Sequence, residues 1–289
     1  MKAYLSLIKF AHTVFALPFA LLSFFLAISE TGSTTVFPWR LLGLILLCMV
    51  FARSAAMAFN RYTDRRIDAA NARTVIREIP SGVISPTSAL WFVILMSVAF
   101  MATTWFINPL CFYLSPVALL VILGYSYTKR FTWLCHLVLG IGLGLAPVGA
   151  FIAVTGSFDL LPILYGFMVM FWVSGFDVLY ALQDETFDRE HGLHSIPGRF
   201  GQQKAKKIAA GLHMACAVLL VVITCMQDTR FDHFGMLHWL GAGGFLLLII
   251  RQHWLVYRYH LARIDKAFFE TNGIASVMFG AAVILDLLI

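Results

Sequence analysis

The sequence predicts an all-α, polytopic membrane protein with about nine transmembrane helices. Of its 289 residues, 60% are hydrophobic and 12% are charged, whereas soluble domains are about 45–50% apolar and about 25% charged. Apolar runs of about 20 residues, enough for a helix to cross the hydrocarbon core, recur along the chain. No low-complexity segment or long polar linker separates them, so we expect a single domain over residues 1–289.

Nine apolar runs are the candidate transmembrane helices. The first follows Lys2 and Lys9 as a secretion signal would, but it is long and no clear small-residue cleavage site follows it, so we expect a retained helix. The fifth contains GIGLG at residues 140–144, where small residues favour close helix packing. The runs are Phe10–Ser29, Leu41–Phe59, Ala89–Phe106, Leu110–Tyr127, Trp133–Val154, Leu161–Leu182, Ala205–Met226, Gly235–Trp254 and Thr271–Leu288.

Lysine and arginine are concentrated in alternate loops. The N-terminal tail and the loops after runs two, four, six and eight contain 18 of the 21 basic residues, whereas the other loops contain only Arg40 and Arg230. Short loops rich in these residues stay cytoplasmic, which predicts a cytoplasmic N-terminus and cytoplasmic even-numbered loops. The net charge of +6 is therefore mainly a topology signal near the lipid surface, and we expect no nucleic-acid partner.

The first acidic motif follows the second apolar run, in NRYTDRRIDAANART at residues 60–74. Asn60, Asp64 and Asp68 recur every four residues, a spacing that places them on one face of a helix. Arg53, seven residues before Asn60, falls on the same face and deeper in the membrane.

The second acidic motif ends the sixth run, in DVLYALQDETFDREHG at residues 177–192. Asp177, Tyr180, Asp184 and Asp188 follow the positions i, i+3, i+7 and i+11, which again form one helical stripe. Both motifs lie where an apolar run meets a loop that the charge pattern predicts to be cytoplasmic.

Paired carboxylates at a membrane face indicate a divalent metal and diphosphate site. Clustered carboxylates repel one another, and Mg²⁺ relieves that repulsion, prefers oxygen ligands and is commonly shared with substrate phosphates. Nearby arginine and lysine side chains can bind the remaining phosphate oxygens. The alternative is a solvated loop face with i,i+4 ion pairs. Two such motifs on the same predicted side favour function, as do ionisable residues at membrane depth.

With these residues the chain resembles the UbiA superfamily of intramembrane prenyltransferases. NRYTDRRID and DETFD match its NxxxDxxxD and DxxxD signatures. The matching flanks are ARSAAMAFNR, NART, PSGVIS, YSYTKRFT, YALQD and GLHSIPGRFG. The resemblance covers nearly the whole chain, weakens after about Lys207 and is strongest to the 4-hydroxybenzoate polyprenyltransferase branch.

The resemblance implies an architecture and a reaction. Nine helices would surround a central cavity that is capped by cytoplasmic loops and open sideways to the lipid of a bacterial inner membrane. A polyprenyl diphosphate would enter from the bilayer, and its prenyl group would pass to an aromatic acid during ubiquinone or menaquinone biosynthesis. Mg²⁺ would bridge the diphosphate to five side chains, those of Asn60, Asp64, Asp68, Asp184 and Asp188.

The resemblance also implies roles for basic, aromatic and deeper acidic residues. The candidates for binding the outer diphosphate oxygens are Arg73, Arg77, Lys129 and Arg130. The ring faces that would stabilise the allylic cation are those of Tyr125, Tyr127 and Tyr180. Arg53 would bind the carboxylate of the aromatic acid, near Tyr180, and Asp177 would orient its phenol or take the proton.

Alternatives to this function remain open at the level of sequence. A transporter could also use intramembrane acids and glycine-broken helices, although here the acids cluster at one face rather than at mid-depth. The same scaffold can act on naphthoate, homogentisate, haem, a glycerol phosphate backbone or a futalosine-pathway acceptor. The sequence does not specify the acceptor, the prenyl length or the oligomeric state.

Overall fold

The computed structural model describes residues 2–7, 15–32, 37–231, 234–259 and 264–289, and every regular element among them is helical. The start of the first predicted run, together with Lys9 and Arg263, lies outside the described residues. The helices are α1 (Lys2–Leu7), α2 (Leu17–Thr31), α3 (Trp39–Thr63), α4 (Arg65–Ala70), α5 (Pro86–Trp105), α6 (Pro109–Thr128), α7 (Cys135–Thr155), α8 (Leu160–Tyr180), α9 (Glu185–Glu190), α10 (Ile196–Arg230), α11 (Leu237–Tyr259) and α12 (Thr271–Leu288).

Eight helices in the described part of the chain are long and apolar enough to cross a membrane, and α2 is a shorter apolar helix. This confirms the all-α membrane fold, whereas the count of nine transmembrane helices stays a prediction. Polar side chains mark several helix starts: Ser85, Asp159 and Ser195 each accept a backbone N–H of the first turn. Such caps satisfy amide groups that a helix leaves without partners.

The described residues form two compact units. The first unit takes its described residues from 1–13 and 38–128 and contains α1 and α3 to α6. In it, α3 packs against α5 and α6. Its buried apolar cluster includes Leu7, Ala58, Ile79 and Ala89, so the loop after α4 is held by the same core as the end of α3.

The second unit takes its described residues from 14–37 and 129–289 and is organised around α8. This helix packs against α7 and α10, and most of its side chains are buried. Trp172 lies at the centre, where its indole N–H donates to Asn272 Oδ1 at 3.2 Å and its ring contacts Phe19 and Phe245. A helix that is apolar on all sides is expected to be buried, as α8 is. The residues that follow α8 in the chain therefore continue from a well-packed helix.

Small residues allow α7 and α8 to pack closely, as the GIGLG segment predicts. An added Cβ at Gly140 would overlap the carbonyl of Met170, and one at Gly144 would overlap the carbonyl of Gly166. Both obstacles are backbone atoms, which cannot rotate away as a flexible side chain can. The position of α7 beside α8 therefore depends on these two glycines.

Replacing Gly144 with valine is expected to destabilise the second unit by about 1–3 kcal/mol or more, because overpacked cores must shift their backbone. The measurement is the thermal unfolding temperature in detergent. Gly149→Val is the matched control, because an added Cβ at Gly149 meets nothing within 4 Å. Equal unfolding temperatures for the two variants would contradict this packing.

An ionic cluster lies at the N-terminal end of α8, next to Asp159. Arg230, at the end of α10, forms two hydrogen bonds with Asp159, at 2.6 and 2.8 Å, and its Nε lies 2.6 Å from Glu30 Oε1 near the end of α2. Asp159 also caps α8 by accepting the N–H of Leu161. The hydrogen bonds from Arg230 lower the pKa of Asp159 below its ordinary value.

Candidate active site

The first acidic motif lies at the junction of α3 and α4 in the first unit. Helix α3 ends at Thr63, but the N–H of Asp64 still donates to the carbonyl of Asn60 at 2.9 Å, and that of Asp68 to the carbonyl of Asp64 at 2.7 Å. These i,i+4 bonds continue the helical spacing across the junction. The amide of Asn60 donates to Asp64 Oδ2 at 3.2 Å, which orients the first carboxylate of the motif.

Asp68 is buried beside a basic side chain. Its side chain is 6% exposed, and its Oδ1 accepts from Arg77 Nη1 at 2.6 Å. Its Oδ2 is buried without a hydrogen-bond partner. Thr74 donates to the carbonyl of Asp68 at 3.1 Å and holds the intervening loop. A buried carboxylate oxygen without a donor is rare in native proteins, and such an oxygen suits a cation ligand.

Deeper in the first unit, the guanidinium of Arg53 has a buried Nε without a hydrogen-bond partner, and it interacts electrostatically with Tyr125. The ring of Tyr127 packs edge-on against Phe59 at 5.7 Å between centroids. Arg73 is exposed. The predicted residues of the first unit therefore divide into the carboxylate pair with Arg77 and a deeper pair of Arg53 and Tyr125.

Arg61 is a buried cation that the sequence reasoning treated only as a topology signal. It is 4% exposed, its Nε has no hydrogen-bond partner, and it interacts electrostatically with Asp68 and Arg77. Glu78 also interacts electrostatically with it, so the two arginines lie beside two carboxylates. The position of Arg61 next to Asn60 is the only sequence signal that could have identified it.

The second acidic motif occupies a bent segment of the second unit. Helix α8 ends at Tyr180, a 3₁₀ turn covers Ala181–Asp184, and α9 then carries Asp188. The predicted continuous helical stripe from Asp177 to Asp188 is therefore wrong in detail, because the tighter turn changes the rotation per residue. Asp184 and Asp177 are half-buried, and the ring of Tyr180 lies 4.2 Å from that of Phe268 between centroids.

Asp188 is fully buried between a lysine and a serine. Lys129 Nζ lies 2.7 Å from its Oδ1, and the hydroxyl of Ser195 donates to its Oδ2 at 2.7 Å. The backbone reinforces this arrangement, because the N–H of Leu193 donates to the carbonyl of Asp188 and that of His194 to the carbonyl of Lys129. Lys129, which was predicted to bind the diphosphate, thus lies beside the motif. Ser195 was missed because a lone serine has no distinctive spacing. Arg130, next along the chain, is half-buried.

Asp177 is paired with a histidine. Its Oδ2 lies 2.7 Å from Nδ1 of His136, a residue of the first turn of α7 that is 4% exposed. The backbone N–H of Ile196 donates to Nε2 of the same ring at 3.3 Å. Sequence reasoning missed His136, although an ionisable residue at the end of an apolar run is itself a functional signal.

The donor set of the two motifs fits Mg²⁺ rather than a metal held by protein alone. Among the described residues, no group of three or more His, Cys, Asp and Glu side chains could hold a metal ion. Each motif instead offers a pair of carboxylates beside a basic side chain. Mg²⁺ usually takes one or two carboxylates, keeps waters and binds substrate phosphates, and the unpartnered Asp68 Oδ2 could serve as such a ligand.

The model of the UbiA prenyltransferase family matches residues 16–279, which include both acidic motifs. The chain belongs to this family. The expectation of a prenyltransferase is thereby confirmed at the level of the family. Curated relatives include the 4-hydroxybenzoate octaprenyltransferase of Actinobacillus pleuropneumoniae serotype 5b (strain L20), 32% identical over 87% of this chain and 82% of the relative. That of Tolumonas auensis is 30% identical over 83% of this chain and 82% of the relative.

Solved structures of UbiA homologues share the fold. A homologue from Aeropyrum pernix K1 has a TM-score of 0.83 and 30% sequence identity, over 95% of this chain and 98% of that chain. A homologue from Archaeoglobus fulgidus, bound to GPP and Mg²⁺, has a TM-score of 0.72 and 22% identity over 99% of this chain and 100% of that chain. The chain is therefore an integral membrane protein of the UbiA fold.

Proposed function

We propose that this UbiA-family protein transfers a polyprenyl group from a polyprenyl diphosphate to an aromatic acid of the 4-hydroxybenzoate type in quinone biosynthesis. The observation that carries the proposal is that each acidic motif contains a buried aspartate paired with a base, Asp68 with Arg77 and Asp188 with Lys129. Anionic and cationic groups in alternation suit a complex of divalent cation and diphosphate. The names of the curated relatives support the acceptor class.

In this proposal each acidic motif binds Mg²⁺ and phosphate oxygens. The ligands of Mg²⁺ would be Asn60, Asp64, Asp68, Asp184 and Asp188. When bound, the metal supplies positive charge that stabilises the leaving diphosphate. Arg77 and Lys129, now paired with aspartates, would turn to phosphate oxygens, together with Arg73 and Arg130. The binding of Mg²⁺ and diphosphate together keeps every one of these charges compensated.

The residues of the chain then guide an electrophilic aromatic substitution. The allylic C–O bond breaks and its electron pair leaves on the diphosphate, while cationic side chains aimed at the phosphate oxygens stabilise the developing charge. The ring faces of Tyr125, Tyr127 and Tyr180 stabilise the allylic cation. The ring carbon ortho to the hydroxyl bonds to the cation, and that carbon then loses its proton to an oxygen of the released diphosphate, which restores the aromatic ring. Exclusion of water prevents capture of the cation.

Arg53 binds the carboxylate of the aromatic acid. The buried Nε without a partner motivates this assignment, because a buried donor that makes no hydrogen bond is costly until an acceptor such as a carboxylate reaches it. Arg53 lies seven residues before Asn60, about 10 Å deeper at 1.5 Å per residue, which leaves room for one aromatic ring. Asp177 then orients the phenolic hydroxyl.

Arg53→Ala is expected to raise the KM for the aromatic acid about 10- to 150-fold, because a charge-assisted contact worth about 1.5–3 kcal/mol is lost. The KM for the polyprenyl diphosphate should change little. Steady-state kinetics on the purified protein measures both constants. Arg40→Ala, which changes an exposed arginine outside the site, is the control. A raised KM for the diphosphate alone would reject the assignment.

Product analysis tests the function directly. Purified protein in lipid would receive Mg²⁺, one polyprenyl diphosphate and a panel of aromatic acids that includes 4-hydroxybenzoate, homogentisate and a naphthoate, and mass spectrometry would identify prenylated products. The proposal expects 4-hydroxybenzoate or a close analogue to be prenylated with release of diphosphate. If only another aromatic acid were prenylated, that compound would be the acceptor and the proposed acceptor would be wrong. If no Mg²⁺-dependent release of diphosphate occurred, the proposed prenyl transfer would be wrong.

We further propose that residues 1–289 form one domain in a bacterial cytoplasmic membrane, with the acidic motifs on the cytoplasmic side. A single family match across both units supports one domain. The lysines and arginines around the motifs support the orientation. Cysteine substitutions at exposed Arg66 and Trp39, labelled from either side of oriented vesicles, would test it.

A further inference from the structure

His136 joins two parts of the second unit through its two ring nitrogens. Nδ1 lies 2.7 Å from Asp177 Oδ2, near the end of α8. Nε2 lies 3.3 Å from the backbone nitrogen of Ile196, the first residue of α10. The ring is 4% exposed, so bulk water competes little with these two partners.

These partners determine which ring nitrogen carries the proton. The backbone N–H of Ile196 can only donate, so Nε2 must accept and is unprotonated. Nδ1 must then carry the hydrogen, and it donates to the carboxylate of Asp177. A histidine that is held in one tautomer by a second partner orients the group that it contacts. Among the described residues, Asp177 Oδ1 accepts no hydrogen bond.

We infer that His136 is a positioning residue that aims Asp177 at the hydroxyl of the aromatic acceptor. The inference rests on the proposed function. One carboxylate oxygen is held by His136, and the side chain, 24% exposed, keeps the other oxygen available. That oxygen accepts the phenolic O–H and raises the electron density of the ring in the orientation that attack requires.

The same ring also links Asp177 to Asp188 of the second acidic motif, through the start of α10. Ser195 caps α10, and its hydroxyl donates to Asp188, while the next backbone N–H donates to His136. A purely structural role for His136 would depend on this Nε2 link. A positioning role depends instead on the Nδ1 donor, so variants that separate the two nitrogens distinguish them.

Asparagine and glutamine each reproduce one of the two nitrogens. The side-chain amide of asparagine can place an N–H near Nδ1, whereas that of glutamine reaches the position of Nε2 and can accept the N–H of Ile196. His136→Asn therefore keeps the donor to Asp177, and His136→Gln keeps the anchor to α10. We expect His136→Gln to lower kcat for the aromatic acid about 100-fold, as misplacement by about 1 Å can do, and His136→Asn to retain most of the kcat.

The test measures kcat, the KM of both substrates, the thermal unfolding temperature and Mg²⁺-dependent binding of a non-hydrolysable polyprenyl diphosphate analogue. We expect both variants to bind the analogue as the wild type does, and kcat to fall mainly in His136→Gln. The reverse order, or equal kcat in the two folded variants, overturns it. If wild-type protein binds no analogue with Mg²⁺, the proposed function fails separately.

Asp177→Asn keeps the inference testable if both histidine variants fail to fold. The amide oxygen of asparagine can still accept from His136, but the negative charge is lost. We expect this variant to fold, with a kcat below that of the wild type and a nearly unchanged KM for the diphosphate. Wild-type kcat in Asp177→Asn would overturn it.

Discussion

Alanine at any one of the four motif aspartates is expected to abolish Mg²⁺-dependent prenyl transfer, with a loss of at least about 1,000-fold, because the charge that stabilises the departing diphosphate is the largest single contribution to such catalysis. Each variant removes a carboxylate that would hold the metal. Release of labelled diphosphate and formation of prenylated product, measured on purified protein, are the two readouts. The variants are Asp64→Ala, Asp68→Ala, Asp184→Ala and Asp188→Ala.

Folding must be separated from catalysis at the two buried aspartates. Asp188→Ala removes the carboxylate that Lys129 contacts at 2.7 Å, and the cost should stay below the value of about 3–5 kcal/mol for a fully buried pair, because Lys129 is partly exposed. Asp188→Asn preserves the shape and the hydrogen bond from Ser195, so it should fold and still be inactive. Glu190→Ala, an exposed acid on the same short helix, is the control for charge alone. Full activity in two of the four alanine variants would refute the metal assignment.

Lys129→Met is expected to lower kcat/KM for the polyprenyl diphosphate about 10- to 150-fold, because a hydrogen bond to a charged group is worth about 1.5–3 kcal/mol. Lys129 lies 2.7 Å from Asp188 and is proposed to turn to the diphosphate. Calorimetric titration with the non-hydrolysable analogue, with and without Mg²⁺, measures the loss at the binding step. Lys129→Arg should recover part of it, since the charge is retained.

The control for this variant is Lys204→Met, which makes the same change at an exposed position of α10. It should leave analogue binding and turnover unchanged. If Lys129→Met bound the analogue as the wild type does, Lys129 would serve only to neutralise Asp188, and its proposed contact with the diphosphate would be wrong.

The length of the apolar runs was sufficient to predict the long helices, but not the short helices α1, α4 and α9. The run Leu41–Phe59 corresponds to α3, and Thr271–Leu288 matches α12 at both ends. The seventh run was predicted to start at Ala205, but α10 begins at Ile196 because Ser195 provides an N-terminal cap that hydropathy does not detect. Within α10, Gly201 is non-helical, with a φ of 75° and a ψ of 164°, so a kink separates the short first segment from the long helix that the seventh run predicted.

Site residues could be predicted where a regular spacing of metal-binding groups marks them in the sequence. They could not be predicted where only the tertiary structure brings them together. Asp64, Asp68, Asp184 and Asp188 were found because a four-residue repeat of oxygen ligands is unusual at the end of an apolar run. The partner of Asp177 was not found, because His136 lies 41 positions away on another helix. Ser195 and Arg61 were missed for the same reason, since neither has a spacing that differs from ordinary loop or membrane-end residues.

The cluster around Arg230 has a consequence for tolerance to acid. Because the pKa of Asp159 is lowered in the folded protein, its contribution to stability is present above the unfolded value of 3.8 and is lost only as the pH falls through the still lower folded value. In the proposed orientation this end of α8 faces the cell exterior. Mild acidification on that side, to about pH 5, would leave Asp159 ionised and its two hydrogen bonds with Arg230 intact, so α8 and α10 would stay connected.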